Sequence, residues 1–204
     1  MSTVKQEVVN AAMAHMGEPG FEDIGQDPPS AALVKVLAQL DGRAGAERRA
    51  LSRHPWLCAL SYLTLAPVSP APTNWKWANA FLLPQTAVKV WEVDGPPDLA
   101  YEIGTETVGG SERSVIRANV GSLRVSFSEV KPYEAYSADL CNYIAFLLAS
   151  RAIGPLKSDY EGAARLKKDA EAAALEAMSG EAGQHGGEDP RLASGLADLR
   201  RRVA

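Results

Sequence analysis

The side chains best suited to proton transfer or metal binding near neutral pH are three histidines, His15, His54 and His185. None stands in a His-x-x-x-His spacing and none has a cysteine close by, so no metal site is expected. His15 falls near a helix end, His54 precedes a proline and His185 sits among glycines, which predicts structural or solvated roles. Ser52 and His54 are near neighbours, but no Gly-x-Ser-x-Gly elbow accompanies them. A triad would need His54 to meet a carboxylate and a nucleophile in one pocket. Gly109-Gly110 lacks the lysine of a phosphate loop and predicts a hairpin turn. Asp94 with Asp98, and Asp159 with Glu161, fall in turns or on charged faces and are expected to be solvated. Cys58 and Cys141 lie far apart in apolar stretches and are expected as buried free thiols. The residues predict neither an enzyme nor a bound cofactor.

Trp75, Trp77, Phe81 and Trp91, with Lys76 and Lys89 between them, have the composition of a stacking platform for single-stranded nucleic acid. Trp75 and Trp77 would share one strand face, and packing of that face against helices is the simpler expectation. The basic run Lys35, Arg43, Arg48, Arg49 and Arg53, and the terminal Arg200, Arg201 and Arg202, could touch phosphate or an acidic partner. A net charge of -4 lacks the basic excess of a dedicated nucleic-acid binder. A small nucleic-acid-binding module is therefore the alternative reading.

The elements that would carry these residues follow from periodicity and punctuation. Val4, Val8, Val9, Ala12, Met13 and Met16 form one face of a helix over about 3–16, ended by Gly17 in the left-handed conformation. A loop rich in glycine, proline and acid, with Glu18, Glu22, Asp23 and Asp27, follows. Ser30 caps a second helical region over about 30–54, with Leu33, Val34, Leu37 and Leu40 as its stripe and an interruption at Asp41-Gly42. His54-Pro55-Trp56 ends it.

From about 57 to 130 the chain changes to short β-branched and aromatic runs separated by turns. Gly109-Gly110 and Asn119-Val120-Gly121 are hairpin candidates, so the pairing is expected to be antiparallel. Val88, Val90 and Val93 are not in perfect phase. Pro132 opens a third helix, about 132–153, which Gly154-Pro155 stops. A fourth helix over about 156–178 carries Ala163, Leu166, Ala170, Ala174 and Ala177 as a narrow packing face. Residues 179–204 read as a glycine-rich linker and a flexible arm. The expected fold is α+β: an antiparallel helical bundle over 1–178, interrupted by a small antiparallel β-sheet.

Length and composition agree with this. With 204 residues, 46% hydrophobic and 23% charged, the chain can bury a core without disulfides or metal. The first residues lack the basic start and apolar core of a secretion signal, and no apolar stretch is long enough for a bilayer, predicting a chain kept in a cytoplasm away from membranes.

The order of the pieces resembles a known family. Met16-Gly17-Glu18-Pro19 ends the first helix and Arg53-His54-Pro55-Trp56 the second. Trp77-Ala78-Asn79-Ala80-Phe81-Leu82-Leu83-Pro84 then runs into Val88-Lys89-Val90-Trp91-Glu92-Val93-Asp94-Gly95. Ala138-Asp139-Leu140-Cys141 through Leu148-Ala149-Ser150-Arg151 precedes a helix of Ala, Glu and Lys. This is similar, over roughly residues 4–178, to the tail tubular protein A and head-to-tail adaptor family of tailed phages and gene transfer agents. Residues 41–46 and the terminal arm exceed the family pattern.

The resemblance implies a structural virion protein at the head–tail junction, assembled from subunits made in the host cytoplasm. It implies a homo-oligomeric ring of roughly twelve copies with heterologous contacts. The portal protein would lie above it and a tail nozzle, stopper or terminator protein below. Genomic DNA would pass loosely through the channel, without sequence-specific contacts. The arm, with Leu192, Leu196, Leu199, Arg200, Arg201 and Arg202, is the expected contact to the portal or a neighbouring subunit.

Overall fold

The computed structural model describes residues 3–69, 72 and 74–184. The fold is α+β and divides into a helical unit, residues 3–59 with 131–184, and a β unit, residues 60–130. The chain thus leaves the helical unit after its third helix and re-enters it before its fourth.

In the helical unit, α1 (Thr3–His15) buries Val8, Val9, Ala12 and Met13. Gly17 adopts φ +70 and lets the N–H of Glu18 reach back to the carbonyl of Met13, closing the helix as its glycine predicts. The Ser30 hydroxyl accepts from the Leu33 N–H and starts α2 (Ala31–Asp41). Its buried stripe is Leu33, Val36 and Leu40, whereas Val34 of the expected stripe is 50% exposed. The break before α3 (Ala46–Arg53) is longer than a kink. A Cβ on Gly45 would lie 2.1 Å from the Leu40 carbonyl oxygen, so only glycine permits that path.

The third long helix begins later than expected. Pro132 leads into a single 3-10 turn, Tyr133–Ala135, and α4 (Ala138–Lys157) starts where the Ser137 side chain caps the Leu140 N–H. It also passes through Pro155 rather than stopping at Gly154-Pro155. Proline there forfeits only its own N–H bond, and the last turn is held from outside. The Lys157 ammonium donates to the Met16 carbonyl at 2.9 Å and pairs with Glu18 at 2.6 Å. Ser158, at φ 59, ends the helix, and the Asp159 carboxylate accepts the Gly162 N–H at the start of α5 (Tyr160–Gln184). Leu166, Ala170, Ala173, Ala174, Ala177 and Met178 bury one side of α5, the small residues admitting close packing on α4.

Residues 179–184, expected as linker, are the last turns of α5. Glycine costs about 1 kcal/mol per position in a helix. Here burial of Ala177 and Met178, and the contacts of Glu181 described below, outweigh it.

The β unit holds two three-stranded antiparallel sheets instead of the single sheet expected. One has the order β1 (Leu60–Leu65), β6 (Leu123–Glu129), β3 (Ala87–Asp94), and the other β2 (Asn79–Leu82), β5 (Ser111–Ala118), β4 (Tyr101–Val108). Leu123, Val125 and Phe127, alternating along β6, share a core with Leu65, Phe81, Ile116 and Ala118. Gly109 and Gly110, at φ +60 and +79, make the two-residue turn between β4 and β5, with Val108 opposite Ser111. Asn119-Val120-Gly121 does not form a hairpin: it carries the chain from β5 in one sheet to β6 in the other. Register shifts in β3 between Ala87 and Lys89 and between Val90 and Glu92 account for the phase break among its valines.

Candidate functional site

Three features of the helical unit combine titratable groups with burial. In the first, Glu181 of α5 accepts the Leu57 N–H on Oε1 at 2.6 Å, while its Oε2 lies 3.1 Å from His54 Nε2. Both side chains are about nine-tenths buried or more, at 7% and 10% exposure, and the two atoms lie close without a hydrogen bond between them or to any other described residue. Trp56 covers the imidazole edge-on at 4.9 Å. His54 has thus met a carboxylate, but the Ser52 hydroxyl donates to the Arg49 carbonyl at 3.0 Å, the local bond of a helical serine. The pair ties α5 to the chain following α3.

In the second feature the buried Glu47 of α3 accepts from the Tyr136 hydroxyl at 3.0 Å, and that hydroxyl in turn accepts the Lys131 N–H at 2.9 Å. Burial pushes the Glu47 carboxyl above its ordinary range, partly offset by the bond from Tyr136. Tyr133 and Tyr136 are pushed far above the ordinary phenol value, first by burial and then by charges that include Glu47. Cys58 and Cys141 are free and only half-buried, a correction to the expected full burial. Burial, then the neighbouring Cys58, Glu7 and Glu47, push the Cys141 thiol up to about 11, which disfavours the reactive thiolate.

The third feature is a cleft of about 420 Å³ between α3, α4 and α5, whose lining holds Arg49, Arg53 and Lys167 with one carboxylate, Glu171. Arg53 pairs with Glu171 at 3.0 Å and lies over the Tyr143 ring at 5.9 Å. The bond from Arg53 holds the Glu171 carboxyl below its usual range. Arg151 is close enough to Arg49 for their charges to repel, which adds to burial in lowering its own value. The Nε atoms of Arg53 and Arg151 are buried without a hydrogen-bond partner. In the cleft lining, three cations against one carboxylate favour an incoming anion. The basic run had pointed to Arg49 and Arg53, one helical turn apart. Arg151 and Lys167 come from distant segments and carried no sequence signal.

The other predicted residues are not brought together. His15 stacks on Phe146 at 3.8 Å, and burial lowers its pKa. Trp75 and Trp77 sit in a turn before β2 instead of on one strand face. Trp75 is 94% exposed and Trp77 5%, its indole N–H donating to Glu102 at 2.9 Å. Trp91 donates to Ser128 at 2.6 Å and carries Lys89 over its ring at 3.8 Å. The tryptophans therefore do not form a continuous stacking platform. Arg117 lies across Gly104 and bridges Glu102 at 2.6 Å and Glu106 at 2.7 Å, a tie within the β unit.

His185, Leu192, Leu196, Leu199, Arg200, Arg201 and Arg202 lie outside the described residues. Among the described residues no cluster of His, Cys, Asp and Glu is arranged to hold a metal ion, and no helix is long and apolar enough to cross a membrane. Set against models of known protein families the chain matches none, and it matches no curated protein.

Proposed function

We propose that the chain is a structural subunit of a tailed-phage or gene-transfer-agent particle, forming an adaptor ring between portal and tail through which DNA passes. The observation that carries this reading is the two-unit plan: a helical unit interrupted between α3 and α4 by an antiparallel β unit. A helical bundle bearing a small β-sheet is the fold that the resemblance to the head-to-tail adaptor family implies. The polar clusters fit a protein that works through surfaces, because the His54–Glu181 and Glu47–Tyr136 contacts are spent on holding its own elements together.

Unsatisfied surface supports the same reading. Tyr62 and Leu63 on the edge strand β1, Tyr101 and Ile103 on the edge strand β4, and Trp75 are exposed apolar side chains of the kind interfaces cover. A ring closed by heterologous contacts needs two different complementary patches on every copy.

The test is to purify intact particles from cells carrying the gene and to image their head–tail junction by cryo-electron microscopy. Density for a closed ring of this chain beneath the portal supports the proposal. Particles that lack the chain overturn it. In that event, salt-dependent binding of single-stranded DNA would favour the nucleic-acid reading.

A further inference from the structure

We infer that the cationic cleft between α3, α4 and α5 receives the acidic loop, residues 17–30, of a second copy of this chain. The inference rests on the ring reading and supplies one of its contacts. The cleft holds more positive charge than its own chain neutralises. Arg53 has found Glu171, whereas Arg49 and Lys167 make no ion pair among the described residues. The bond already present, Arg53 to Glu171, is to a carboxylate.

The same unit carries a fitting counterpart. Glu22, Asp23 and Asp27 are exposed and pair with no cation among the described residues. Their loop is fixed in shape before any partner arrives. Gln6 donates to the Glu22 carbonyl at 2.6 Å, and Asn10 exchanges bonds with the N–H and carbonyl of Phe21. Ile24 anchors the loop, being 2% exposed. Gly20 leaves room for Asn10, whose side chain a Cβ would meet at 2.9 Å. A rigid acidic projection loses little freedom on docking, which favours binding.

A phosphate backbone is the less suitable occupant. The chain as a whole is acidic, at -4, and this loop would repel DNA approaching the helical unit. Cleft and loop are different patches on one copy, so their contact is heterologous and propagates from copy to copy, as ring closure requires.

The full chain is tested by charge reversal on each side, Arg49→Glu with Lys167→Glu for the cleft, and Glu22→Lys with Asp23→Lys for the loop. Circular dichroism shows whether each variant is folded, and sedimentation velocity reads assembly. Each variant alone is expected to need at least about tenfold higher concentration to associate. An equimolar mixture is expected to recover wild-type assembly, because reversed clefts then meet reversed loops in alternation. If wild type assembles and both variants assemble equally well, the docking inference is overturned and the ring reading stands.

If wild type stays monomeric at every concentration tested, the docking inference is overturned, and the ring reading is left to the imaging of intact particles.

Discussion

Replacing Glu181 by alanine is expected to destabilise the helical unit by about 1–3 kcal/mol, the usual cost of leaving a donor away from water without its acceptor. The carboxylate accepts the part-buried Leu57 N–H at 2.6 Å and lies 3.1 Å from His54 Nε2 without a hydrogen bond to it, so alanine would strand one donor and remove the imidazole's acidic neighbour. With a urea dependence of about 2 kcal/mol per molar, the unfolding midpoint should fall by roughly 1 M.

Ellipticity at 222 nm is the suitable signal, since the affected unit is the helical one. Glu181→Gln should cost less, because the amide oxygen can still accept from the Leu57 N–H. Glu176→Ala, on an exposed position of the same helix, serves as control and should stay within about 0.5 kcal/mol of wild type. If Glu181→Ala behaved like Glu176→Ala, the last turns of α5 would not be docked, and the glycine-linker reading of residues 179–184 would return.

Four further outcomes are expected. Stability should decline as pH rises from the ordinary glutamate range through the raised Glu47 value, because the folded state holds that proton more tightly than the unfolded chain; Glu47→Gln should flatten the decline in urea midpoints measured between pH 4 and 8. Arg117→Lys should lower the thermal midpoint of the β unit by an amount equivalent to about 2–3 kcal/mol, since a single ammonium cannot replace a fork that reaches Glu102, Glu106 and the Thr105 carbonyl together. Cys141, with its thiol pushed up to about 11, should be alkylated by iodoacetamide at neutral pH about a hundredfold more slowly than an ordinary thiol, as read by peptide mass spectrometry. Trp75→Ala should change stability by less than about 0.5 kcal/mol, because a side chain 94% exposed contributes little to the fold; a drop of several kcal/mol on denaturation would show otherwise.

Much of the fold was legible in local chemistry. Ser30 and Gly17 mark helix ends because a cap or a left-handed residue acts on the nearest turn and needs no distant partner. Gly109-Gly110 marks a hairpin for the same reason, its positive φ angles being set by two residues alone. The change from helical to alternating period located the β unit, and the imperfect phase among Val88, Val90 and Val93 coincides with the register shifts of β3. Arg49 and Arg53 could be read as one basic turn because they are four residues apart.

What depended on tertiary contact was not legible. Asn119-Val120-Gly121 has hairpin chemistry, but burial of Ile116 and Ala118 with Leu123 and Val125 in one core places the strands on either side in different sheets. Pro155, Gly180 and Gly183 predict helix ends, and the helices run through them because Lys157 and Glu181 are anchored to residues far away in sequence. The cleft joins Arg53 to Glu171 across 118 positions, and its charge exists only once three helices meet. Sequence determines what each turn prefers locally; only packing decides which preference is overruled, since a buried contact of a few kcal/mol exceeds the roughly 1 kcal/mol that separates most local alternatives.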